Sequence, residues 1–150
     1  MLKKILIGVG VVAVAGVAYV RFSPTDFATF HMAPVATEAG DTPGINSFKA
    51  ARQITTPAAE ILQAVDLIAL DTERTLRVAG SVGEGVVTYQ TRSALMGYPD
   101  YTTVTVMDGV EGPLLVINAQ SRFGAGDMGV NRARVEDWLA RLGSLVVPTT

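Results

Sequence analysis

Residues 121–138 read SRFGAGDMGVNRARVEDW. Gly124, Gly126 and Gly129 stand at the G-x-G-x-x-G spacing that lets a backbone approach a dinucleotide pyrophosphate between a strand and a helix. A strand-like run precedes them and a helix-like run follows, so the local context fits. The wider context does not. A dinucleotide fold needs a parallel β-α-β unit, a further strand and an acidic residue about twenty positions on. No acidic residue and no strand of any length follow Asp137. No nucleotide is therefore expected, and the glycines are expected to turn the chain sharply from sheet to helix.

A second chemistry open to these residues is anion binding. Arg92 and Ser93 end one strand-like run, Asp100 and Tyr101 begin the next, and Ser121 and Arg122 end a third. In an antiparallel meander those three points share one rim. The two outer strands lie roughly 9.5 Å apart, twice the inter-strand spacing, so Arg92 and Arg122 can flank Asp100 or reach a common ligand. The GAGDMG turn starts at the same rim. Asp127 is a candidate cap for the following helix, with Asn131 as its rival, and Arg132 and Arg134 add positive charge there. Cations at a helix amino end oppose its dipole slightly. Two readings stay open. The cluster Arg92, Asp100, Arg122, Asp127, Asn131, Arg132 and Arg134 is either a set of structural ion pairs or a site where guanidinium groups and free helix N–H groups hold an anion.

Other chemistry has little to work with. The chain has no cysteine and one histidine, His31, in a stretch that looks irregular. Ser93 and Ser121 need a base to act as nucleophiles. No catalytic residue, metal site or cofactor is expected. Asp66, Asp71 and Glu73 read as a solvated helix end and turn. Gly80–Gly85 reads as a hairpin turn, since it lacks the lysine and following helix of a phosphate-binding loop. The net charge of −2 offers no basic footprint for nucleic acid.

The elements that must position this rim follow from periodicity. Thr56-Pro57 opens a helix whose Ile61, Leu62, Val65, Ile68 and Ala69 share one face. Strands are expected over 75–79, 86–93, 101–107 and 113–122, joined by short links. A last helix runs to about Leu142, with Val135, Trp138 and Leu139 on one stripe. The expected fold is α+β: a four-stranded antiparallel meander with two helices on one face, in the order α-β-β-β-β-α, over residues 57–147. Residues 21–56, with Pro24, Pro34, Pro43, Gly40 and Gly44, read as a mostly extended linker. Its Phe22, Phe27, Phe30 and Phe48 suggest that parts lie against the domain or a neighbour.

The amino end carries a different signal. Lys3 and Lys4 precede ILIGVGVVAVAGVAYV, uncharged from Ile5 to Val20. At about 1.5 Å per residue this run and its flanks cover a hydrocarbon core of roughly 30 Å. Residues 1–20 are expected to be a single transmembrane anchor, in contact with the bilayer through residues 2–20. The lysine pair predicts a cytoplasmic amino end and a periplasmic domain on the inner membrane. Ala13-Val14-Ala15 before Gly16 resembles a signal-peptide cleavage site, but the apolar run continues past it.

TRSALMGYPDYTTV (91–104) and SRFGAGDMGVNRARVEDWL (121–139) resemble the bacterial family of domain of unknown function 1499. The matching positions are Arg92, Ser93, Tyr98, Pro99, Asp100, Tyr101, Ser121, Arg122, Gly124, Asp127, Gly129, Val130, Asn131 and Arg134. The resemblance covers roughly 57–142. It implies a shared fold and a shared rim, and supplies no activity. Some members of that family carry cysteines before the domain, and this chain has none.

From the anchor, the aromatic-bearing linker and the missing catalytic set, the expected function is non-enzymatic. The protein reads as an interaction or accessory subunit of a membrane protein complex on the periplasmic side. The alternative is an anion-binding module that takes a lipid headgroup or small acid at the arginine-lined rim.

Overall fold

The computed structural model describes residues 1–149. Its first element is α1, Leu2–Phe22. The stretch Lys3–Phe22 is long and apolar enough to cross a membrane. A helix suits that role because it satisfies its own backbone polar groups without water.

Beyond it, an antiparallel sheet is formed by β1 (Gly40–Pro43), β2 (Ser47–Gln53), β3 (Thr75–Ser81), β4 (Val86–Arg92), β5 (Pro99–Gly109) and β6 (Gly112–Ser121). The spatial order is β1-β2-β6-β5-β4-β3, every neighbour antiparallel. β3 to β6 are the expected meander. The sheet has six strands, not four, because residues expected to be linker supply β1 and β2. β2 pairs with β6 along its whole length, from Ser47↔Gln120 to Gln53↔Leu114. Its SFKAARQ sequence is poor in the β-branched residues that favour strands, so a partner distant in sequence fixes its conformation.

The two helices α2 (Ala58–Asp71) and α3 (Val130–Leu142) cover one face of the sheet. α2 buries Ile61, Leu62, Val65 and Ala69, the stripe its spacing implies. Thr56, just before this helix, donates to the Glu60 carboxylate. Trp138 of α3 is fully buried, meets Tyr89 edge-on at 5.6 Å and donates to Thr72 Oγ1 at 2.9 Å. Side chains alternate along a strand. Val87 and Tyr89, Val104, and Leu115 and Ile117 therefore point to the helices, while Thr88 and Gln90, Tyr101 and Thr103 point the other way.

That second face is covered by residues 23–37. Phe30 stacks on Tyr101 at 4.2 Å and Phe27 meets the same ring edge-on at 6.2 Å. Thr103 Oγ1 donates to the Phe30 carbonyl at 2.7 Å. His31 Nδ1 lies 2.8 Å from Thr88 Oγ1, which in turn meets Thr103. Further on, Val110 N–H donates to the Thr37 carbonyl. The segment is thus a strap laid across the sheet. Gly80 (φ 70°) makes room for it, since a Cβ there would stand 2.7 Å from His31 Cε1 and 2.0 Å from the Val86 carbonyl oxygen. The TVTV part of β5, Thr103–Val106, follows from this double cover. Val104 and Val106 face the helices, and Thr103 faces the strap, where its hydroxyl has partners.

Candidate functional site at the rim beside the first helix

The end of β4, the start of β5 and the end of β6 share one rim, as the meander requires. Asp100 is paired in register with Thr91 and Ser121. The sheet nevertheless divides the expected cluster, because odd and even positions face opposite ways. Arg92 and Arg122 lie on the strap side. Asp100, Asn131 and Arg134 lie on the helix side. Neither Arg92 nor Arg122 pairs with Asp100.

On the strap side the two arginines are joined by a chain of side chains. Arg92 Nε donates to Gln90 Oε1 at 3.0 Å, and its Nη1 to the Gly97 carbonyl at 2.9 Å. Gln90 Nε2 donates to Tyr101 Oη at 2.8 Å, and Tyr101 Oη donates to Thr25 Oγ1 at 2.7 Å. Arg122 completes the chain with three bonds to the start of the strap. Its Nη1 reaches Ser23 O at 3.0 Å and Thr25 Oγ1 at 2.6 Å, and its Nη2 reaches Pro24 O at 2.7 Å. Ser23 is the residue that closes α1. A planar guanidinium with donors in a fixed fork suits such a set of oxygens, which a single ammonium would not span. Its face also lies over the Phe123 ring, 4.7 Å from the centroid. Phe123 in turn meets Tyr19 of α1 edge-on at 6.2 Å.

On the helix side Arg134 Nη2 donates to Asp100 Oδ2 at 2.8 Å, with both side chains largely buried. Its Nη1 donates to Asn131 Oδ1 at 2.8 Å. Asn131 Nδ2 donates to Ser121 Oγ at 3.0 Å and to the Asn46 carbonyl at 3.3 Å. Asn131 thus joins α3, β6 and the β1–β2 turn, and does not cap the helix. Asp127 does that work. Its two oxygens accept from the N–H groups of Gly129 and Asn131, each at 3.0 Å. Burial alone would raise the Asp127 carboxyl, but these N–H donors outweigh it and hold it below the usual carboxylate range. Arg132 stands apart, exposed, bonded to Glu136 and lying over the Phe48 ring.

Asp66 departs from its reading as solvated surface. It is buried and accepts from Tyr89 Oη at 2.8 Å and Arg77 Nε at 3.1 Å. Burial, then the bond to Asp66, pushes the Tyr89 phenol far above its ordinary value. It stays protonated and acts as a donor only. Sequence reasoning also missed Thr25, Gln90 and Tyr101 as the links between the arginines. The aromatic residues in the supposed linker were the one available sign.

A family model described as "Protein of unknown function (DUF1499)" matches residues 23–142. The match begins at the strap, so the strap lies inside the matched unit. Among solved structures, protein MLL2253 from Mesorhizobium loti is similar with TM-score 0.50 and 14% identity, over 66% of this chain and 95% of that one. Protein CV1439 from Chromobacterium violaceum is similar with TM-score 0.39 and 16% identity, over 69% and 99%. At such identity the first likeness shows the fold alone. The comparison with curated proteins returns no match.

Proposed function

We propose, from the premise that the chain belongs to the DUF1499 family of proteins of unknown function, that it is a single-pass membrane protein with a non-enzymatic role. Its domain serves as an interaction or accessory subunit of a membrane protein complex on the periplasmic side of the inner membrane. The observation that carries this reading is the Arg122 clamp on Ser23, Pro24 and Thr25. A tether that only limits how far a domain drifts needs no such fastening. A subunit that must present one surface to a neighbour in the same bilayer does. Fixing its orientation beforehand removes part of the entropic cost of association. Lys3 and Lys4 support a cytoplasmic amino end.

The anion-binding alternative has less support. Arg92, Arg122 and Arg134 already donate to protein oxygens, so a ligand would first have to displace them. The test is extraction of native membranes in mild detergent. Co-migration with another membrane protein in a stable assembly, loosened by Arg122→Ala, is the expected result. Migration only as a free monomer overturns the proposal.

A further inference from the structure

We propose that the rim itself rests on the lipid surface, with Leu95 and Met128 seated among the headgroups. This builds on the reading of α1 as a membrane span. The span Lys3–Phe22 has 20 residues, about 30 Å of helix and so about the thickness of the hydrocarbon core. Its carboxyl end therefore stands at the edge of the hydrocarbon, and Tyr19 lies about 4.5 Å further in. Phe123 touches Tyr19, and Gly97 lies beside Arg21, whose side chain would come within 3.6 Å of a Cβ there. The loops that hold Phe123 and Gly97 are thus brought to interfacial depth by direct contact with the helix.

What those loops expose matches that depth. Leu95, in the loop that holds Gly97, is 88% exposed, and Met128, in the loop that holds Phe123, is 99% exposed. Ile45, in the β1–β2 turn beside Gly126, is 82% exposed. Met128 sits at φ 51°, a left-handed conformation that disfavours residues other than glycine. The opposite end of the sheet has another character. There Glu38, Asp41, Glu84, Asp108 and Glu111 stand near the exposed apolar residues Val110 and Val147. Three apolar tips more than four-fifths exposed, at the end tied to the span, fit a bilayer interface. Water would leave them costly, whereas the interface takes apolar side chains with a gain.

The chain lacks cysteine, so Leu95→Cys, Met128→Cys, Val110→Cys and Val12→Cys each accept a single nitroxide label. The full-length variants are placed in phosphatidylcholine–phosphatidylglycerol vesicles at low protein density. Accessibility to oxygen and to a water-soluble nickel chelate is then read by electron paramagnetic resonance. The expected result is several-fold lower nickel accessibility at 95 and 128 than at 110, with 12 in the bilayer. Labels at 95 and 128 as wet as that at 110, while 12 is buried, overturn this proposal and leave the span intact. A wet label at 12 overturns the span and this proposal together. Shielding at 95 and 128 that appears only at high protein density assigns the tips to a second copy and overturns the lipid reading.

Discussion

One face of the sheet is sealed by helices and the other by a strap, and the two seals do different work. Between the helices and the sheet lie Val65, Val104, Ile117, Val135 and Trp138, interlocked and dry. Burial of this kind is non-directional and scales with area. It supplies stability without dictating where a distant segment must lie. Under the strap lie threonine hydroxyls, the Gln90 amide and the Tyr101 phenol, each with a named partner. Hydrogen bonds and ring pairs carry geometry. That face fixes where α1 leaves the domain.

The comparison breaks most severely at the helix face. Trp138→Ala is expected to cost about 3–5 kcal/mol, read as a lower urea midpoint for the whole domain. Loss confined to the strap would contradict the assignment of stability to this side. Next comes the buried pair at the rim. Arg134→Ala strands Asp100 without its partner and is expected to cost about 3 kcal/mol, whereas the double change Asp100→Leu with Arg134→Met recovers most of it.

Changes on the strap face are expected to act locally. Tyr101→Leu removes the stack on Phe30 and both bonds of the phenol, for a cost of about 2 kcal/mol. The sharper readout is amide exchange. Residues 23–37 should lose protection while α2 and α3 keep theirs. Uniform loss throughout would merge the two faces into one unit. Arg122→Ala is expected to free residues 23–25 alone, again by amide exchange, with the midpoint of the domain nearly unchanged.

Much of the helix face was legible in the sequence. The stripes of α2 and α3 and the alternation in β4 to β6 are local signals, and each was placed to within a few residues. β1 and β2 were not, because a strand such as SFKAARQ is defined by β6 and not by its own residues. The rim was legible as a place, since topology alone brings Arg92, Asp100 and Arg122 together. Its pairings were not. The parity that separates Arg92 and Arg122 from Asp100 turns on single-residue register. The partners that Arg122 finds are main-chain carbonyls, which leave no mark in a sequence. Asp66 was missed for a related reason. Its place on α2 looks solvated until Arg77 and Tyr89 arrive from β3 and β4.

A further change tests whether the turn into α3 belongs to the helix side alone. Asp127→Ala removes two hydrogen bonds at the amino end of α3 and is expected to cost about 1 kcal/mol at pH 7. The native carboxyl lies below its ordinary value, so the native state binds its proton less readily than the unfolded chain does. The contribution is therefore complete above the unfolded value of about 4 and is lost as the pH falls through the lower native value. The gap between wild type and variant, followed by urea unfolding, should close on acidification below about pH 4. Asp127→Asn keeps one acceptor oxygen, so it should retain part of the stability and lose the pH dependence. Protection of residues 23–37 should stay constant throughout. If it falls with Asp127, the loop 123–129 couples the two faces, and the division between them stops at the sheet itself.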